Sequence, residues 1–133
     1  MKAYAEVTLY VTINGETKET KAVFDGEKDF LVNLCPHAMT IVIGEQTIIV
    51  PPSGIITRCA MKTVRDGREF CGIPVSHTEY GEVENLPDQT KNVGFIVSGL
   101  VKARVPERDD VFAPAETIRN DAGQVAGATS LGV

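Results

Sequence analysis

The stretch 33–58, NLCPHAMTIVIGEQTIIVPPSGIITR, decides the fold class. Three short runs of β-branched and aliphatic residues lie in it or just beyond it, at 39–43, 47–50 and 55–60. Runs of four to six such residues suit strands and are too short for helices. Gly44-Glu45 separates the first two runs, and a glycine-first pair fits a two-residue type II′ turn, so 39–50 reads as a hairpin. Pro51-Pro52-Ser53-Gly54 then makes a corner, because two prolines remove ladder donors and the glycine permits positive φ. In front of the hairpin, Cys35-Pro36-His37 interrupts the apolar run 30–34, since Pro36 has no N–H and pushes Cys35 into an extended conformation.

Working outward, residues 2–13 alternate strictly, with Ala3, Ala5, Val7, Leu9, Val11 and Ile13 on one face. Period two over that length predicts a half-buried antiparallel strand. Asn14-Gly15 is the preferred pair for a type I′ turn, and 17–24 returns with interleaved lysines and glutamates. The opposite face carries Tyr4, Thr8 and Tyr10, which reads either as cross-strand tyrosine pairing or as a subunit contact. Beyond the central stretch, 61–70 reads as a polar segment turning at Asp66-Gly67, followed by short extended pieces at 71–75 and 76–83, with Pro74 arguing for an edge strand. Residues 86–92 form a loop and 93–97 a buried strand. Ser98 caps a short helix over 99–105 that Pro106 stops. The pieces 111–114 and 117–119 look extended, and Asp121-Ala122-Gly123 turns the chain back into 124–128. The expected fold is mainly β, an antiparallel sandwich or barrel-like sheet with one short helix. It forms a single domain over 1–133, in which a hairpin over 1–29 adds to a core over 30–133.

The chain has 133 residues, enough to bury a core without staples. Its 43% hydrophobic and 23% charged residues are ordinary for a globular protein. No apolar run approaches the roughly 20 residues of a membrane-crossing helix. The alternating start lacks the continuous core of a signal peptide, so a cytoplasmic protein is expected. The net charge of −5 comes without a basic stripe, which disfavours binding to duplex nucleic acid. Three cysteines, an odd number, read as reduced thiols, and neither a C-x-x-C nor an H-x₃₋₅-H pair is present to hold zinc. Neither a metal nor a cofactor is expected.

A set of motifs spread from residue 33 onward carries a resemblance. They are Asn33-Leu34, Pro36-His37, Pro51 to Gly54 with Arg58, Gly72 to Val75, Tyr80 to Val83, Phe95 to Val101, Pro106 to Pro114, and Ile118 to Val125. In this order they resemble a family of small proteins of bacteriophages and actinobacterial mobile elements. Two departures stand out: the first thirty residues lie outside the pattern, and Cys35 stands where the pattern has a threonine. The resemblance implies a setting in a mobile element, and is nearly silent on activity.

The candidate site residues are Asn33, His37, Arg58, Tyr80, Arg108, Asp109, Asp110 and Arg119. His37 reads as a turn-fixing ring, a ligand contact or a general base. Arg58, Arg108 and Arg119 could hold phosphates, with Tyr80 stacking on a base. The cluster Arg108-Asp109-Asp110 reads either as a self-contained ion-pair loop or as a site in which the guanidinium grips a phosphate while the carboxylates accept from ribose hydroxyls or hold a magnesium ion. No phosphate loop, nucleophile elbow or metalloprotease motif is present. The reading that follows is a non-enzymatic protein, a homo-oligomer, that binds and sequesters a nucleotide-derived small molecule in the service of a phage or mobile element. The alternatives are a protein-binding inhibitor or assembly factor with an acidic surface, and a small nucleotide-acting enzyme using His37 and the Asp109/Asp110 pair.

Overall fold

The computed structural model describes residues 2–133. The protein is mainly β, a curled mixed sheet forming a half-barrel with one short helix. The first hairpin joins β1 (Ala5–Ile13) to β2 (Glu16–Phe24) through Asn14 and Gly15, at φ 51° and 82°. These are the positive values a type I′ turn requires. β3 (Phe30–Asn33) pairs with β2, and the hairpin β4 (Met39–Ile43) to β5 (Gln46–Val50) turns at Gly44, φ 60°. After a long ribbon of β6 (Arg58–Phe70) and β7 (Ile73–Glu84) come β8 (Val93–Ile96), the helix α1 (Gly99–Arg104), β9 (Val111–Arg119) and β10 (Val125–Gly132). Ser98 caps α1 as its sequence position predicts, its Oγ accepting from Val101 N at 3.3 Å.

The eight-stranded sheet has the order β1-β2-β3-β8-β9-β10-β4-β5. Its centre departs from the antiparallel expectation, since β3 with β8, β8 with β9 and β10 with β4 run parallel. The physical reason lies in the runs Phe30–Asn33 and Val93–Ile96, whose neighbouring residues face opposite sides and are buried on both. Val32, Phe95 and Val111 join Val11, Val97 and Val101 beneath the helix. Ile96 joins Val23, Ile41, Ile48 and Val50 on the other side, with Leu31 packed against them. Strands covered on both faces are those that parallel pairing demands, and α1 supplies the crossover between β8 and β9.

Three other expectations change. The run 55–60 is not one strand: 51–57 is a strap across the end of β3, where Ser53 N donates to Asn33 O at 3.0 Å and Thr57 N to Leu34 O at 3.0 Å. The region 61–83 is not a loop with short pieces but a continuous ribbon. Its turn is at Cys71-Gly72, φ 55° and 75°, and Asp66-Gly67 lies within the register shift between Arg65 and Glu69 as a bulge. Residues 111–119 form one strand, with Glu116 at φ 49°.

Asn33, fully buried, ties these parts together. Its Nδ2 donates to His37 O at 2.7 Å and Val50 O at 3.1 Å, and its Oδ1 accepts from Cys35 N at 2.9 Å. At the open side of the half-barrel, Gln46 Nε2 donates to Lys2 O at 2.8 Å, linking β5 to the segment ahead of β1. Replacing Asn33 by Ala strands two carbonyls and one N–H, at a cost of about 3 kcal/mol. Asn33→Asp, which keeps the acceptor and loses both donors, is expected to lose a comparable amount in urea denaturation.

Candidate functional site

A cleft of about 540 Å³ opens between the inner face of β2, β3, β8 and β9 and the wall formed by β5 and β10. Its floor is apolar: Val23, Leu31, Ile48, Phe112 and Leu131. Tyr4, from the segment ahead of β1, and the loop 89–92 form the rim together with Asp25, Asp29 and Asp110. Lys91 is the one cation among the lining residues. The floor is open partly because residue 94 is glycine. A Cβ there would lie 3.0 Å from Cε2 of Phe112, forcing the ring out of place.

The rim is built from local turn chemistry. Asp25 Oδ1 accepts from the backbone N–H of Glu27, Lys28 and Asp29 at 2.8, 2.9 and 3.1 Å, an Asx-type turn that carries the chain from β2 to β3. Those donors hold the Asp25 carboxyl below the ordinary carboxylate range, with the Lys2 ammonium 3.8 Å away adding to the effect. The opposite rim is fixed by Asp110, which is buried and grips Arg108 bidentately: Nε to Oδ1 at 2.7 Å and Nη2 to Oδ2 at 2.8 Å. Arg108 Nη2 also donates to Pro87 O at 3.0 Å, and Lys102 Nζ donates to Arg108 O at 2.7 Å. Asp110 raises the Arg108 guanidinium further above its already high range. One loop is thereby bolted to the segment that links β7 to β8 and to α1.

Of the residues singled out from the sequence, Asp110 alone lines the cleft. Asp109 lies at its edge, accepting from Gln89 Nε2 at 3.1 Å. Asn33 is in the core, with both side-chain polar atoms bonded to backbone. His37 is exposed, and it is its carbonyl, not its ring, that Asn33 engages. Burial raises the neighbouring Cys35 thiol above its ordinary range. Arg58 stands at the base of the ribbon opposite Glu84. Tyr80, also in the ribbon, lies under the Arg104 guanidinium at 5.7 Å from the ring centroid. Arg119 donates to Gly123 O at 2.7 Å at the far tip of the β9–β10 hairpin. No hydrogen bond, ion pair or cleft joins Arg58, Arg108 and Arg119 among the described residues.

The lining residues that sequence reasoning passed over left faint signals. Gly94 interrupts a buried apolar run, which marks a close approach of side chains. Asp25 opens a charged turn with donors two to four residues on. Comparison of the chain with protein-family models, with curated proteins and with solved structures finds no match.

Two outcomes follow from the rim. Because the folded pKa of Asp25 is depressed, its contribution to stability is complete above the ordinary value of 3.8 and is lost as pH falls through the lower folded value. Asp25→Asn should therefore flatten the fall of the urea midpoint between pH 5 and pH 2. Asp110→Ala leaves Arg108, with a side chain only 20% exposed, without its counter-ion, and should cost about 2–3 kcal/mol in the same measurement at neutral pH.

Proposed function

We propose that this is a non-catalytic binding protein that sequesters a small molecule in the cleft between the sheet faces. The observation that carries the reading is the cleft itself: an apolar floor of ligand size, enclosed on several sides, with a few fixed polar groups at its rim. The state of those polar groups favours holding over turnover. Three backbone donors converge on Asp25 Oδ1 and the Arg108 guanidinium takes both Asp110 oxygens, so each carboxylate is held in place as part of a loop.

Within the nucleotide-derived class expected from the sequence, the lining suits a base and sugar better than a run of phosphates. Lys91 is the one cation in the lining to meet a phosphate, and the unpaired Asp29 repels one. The Asp29 carboxylate at the rim, without an ion pair among the described residues, is free to accept from exocyclic amines and hydroxyls, while Tyr4 and Phe112 offer aromatic surface. Arg108 contributes by holding Asp110 in place and not by reaching for the ligand. In the mobile-element setting that the motifs suggest, such a protein would lower the free concentration of a host signal.

Leu131, 37% exposed at the cleft wall, is the position at which to block the volume without disturbing either core cluster. Native mass spectrometry of the protein after incubation with nucleosides, mononucleotides and cyclic dinucleotides should show one unchanged ligand mass retained per chain. Leu131→Trp should abolish that retention while leaving the melting temperature of the free protein within a few degrees. Retention that survives Leu131→Trp, or no retention from any member of the set, would sink the cleft as the binding site.

A further inference from the structure

The β6–β7 ribbon is the part of the molecule that a ligand cleft leaves unexplained. Its strands run 13 and 12 residues, roughly 40 Å of extended chain. Among its residues Cys59 and Val83, both at its base, belong to the core cluster beneath the helix. A two-stranded ribbon alone is marginally stable in water. Here it also ends in apolar side chains: Phe70 is 77% exposed, and Ile73, its register partner, 65%. Neither enters the cleft of its own chain, whose lining contains no ribbon residue.

The charges around this tip complement those of the cleft. Over 61–77 the ribbon carries Lys62, Arg65 and Arg68 against Asp66 and Glu69, a balance of +1. In the cleft lining Asp25 faces the Lys2 ammonium at 3.8 Å and Asp110 is paired with Arg108, which leaves Asp29 as the carboxylate without a counter-ion. Arg65 has no ion pair among the described residues, and Arg68 has only Asp66 at 3.7 Å, on a side chain 73% exposed. At the rim, Asp29 likewise has no ion pair among the described residues. The tip is an apolar pair flanked by guanidinium groups, and the cleft is an apolar floor with the Asp29 carboxylate unpaired at its rim.

We propose that the cleft receives the β6–β7 tip of a second copy of this chain, with Phe70 and Ile73 on the apolar floor and Arg65 and Arg68 facing the Asp29 side of the rim. Reciprocated about a two-fold axis the contact closes a dimer, and repeated head to tail it makes a ring or a chain. Tip and small ligand occupy the same volume, so self-association and ligand uptake oppose one another. The contact itself requires no ligand, and it stands or falls independently of the ligand's identity.

Cys71, exposed at the turn of the ribbon, is a native probe of where the tip goes. The full chain carrying Lys91→Cys, oxidised at low ionic strength, should form an intermolecular disulfide between Cys71 and the introduced thiol, identified by peptide mass spectrometry. Phe70→Ser with Ile73→Ser should suppress this link while both thiols remain titratable. In sedimentation velocity the wild-type protein should associate at micromolar concentration, and Arg65→Glu with Arg68→Glu should weaken that association at least about tenfold. A further Asp29→Lys should restore it. A wild-type protein that stays monomeric at all concentrations would overturn the proposal. So would cross-linking confined to Cys71 with Cys71, which would mean that ribbons meet ribbons, or a link indifferent to the apolar substitutions.

Discussion

The Asn33 carboxamide is the constraint on which the rest of the structure depends. It sits at the end of β3, where the chain leaves the sheet's centre, and its three hydrogen bonds reach the 35–37 turn and the last residue of β5. The Met39–Val50 rung of the β4–β5 hairpin and the packing of Leu31, Cys35 and Met39 against the cluster that contains Val50 and Ile48 hold the same elements together. The strap at 51–57 rests on the same point, since Asn33 O accepts from Ser53 N, and the carbonyl of Ser53 in turn receives the Thr20 hydroxyl at 3.3 Å. A single buried amide thus joins β3, the 35–37 turn and β5, alongside the Asn33–Pro52 bridge and the packing of Leu31 against the cluster of Ile48 and Val50. A buried polar group costs free energy unless satisfied, and this one is satisfied by backbone alone, which makes its geometry unusually determinate.

That determinacy propagates to the cleft. β3 supplies Leu31 to one wall and β5 supplies Ile48 to the other, so the separation fixed at Asn33 at one end becomes an open volume at the other. The rim is set by two further local devices, the Asp25 turn and the Arg108–Asp110 pair, each closed on itself. Charges that look like a catalytic or phosphate-gripping cluster in the sequence are largely consumed in holding loops. What remains for a visitor is apolar surface with a negative border.

The legible and illegible parts of this chain divide along physical lines. The hairpins at 14–15 and 44–45 were readable because the backbone conformation of a tight turn restricts residue type, and Ser98 because a helix start has a chemical signature. The ribbon was misread because two glycine-bearing pairs compete within six residues, and nothing local says that Asp66-Gly67 bulges while Cys71-Gly72 turns. Parallel pairing of β3 and β8 was hidden for a related reason. A continuous apolar run reports burial on both faces but not the direction of its neighbours. The cleft was least legible, because Tyr4, Ile48, Phe112 and Leu131 lie far apart in the chain and nothing local in any of them marks a shared volume. Asp110 was found through the density of charge around it, although that density turns out to serve Arg108. Asn33 was singled out by its motif, and its position in the core gives it a structural role.

The seam between β10 and β4 consists of one parallel rung, Ala128 to Ile41, where Gly127 lets the strands approach so closely that a Cβ would meet Thr40 O at 3.0 Å. Every other junction in the sheet has at least two rungs. The β4–β5 hairpin is therefore held to the rest of the fold by one backbone rung at Ala128, by the Asn33 and Gln46 side chains, and by the burial of Ile41, Ile48 and Val50. One wall of the cleft thus owes its place to side chains and buried apolar packing more than to a shared backbone ladder, so substitutions in that packing, and not in the ladder, would alter its width.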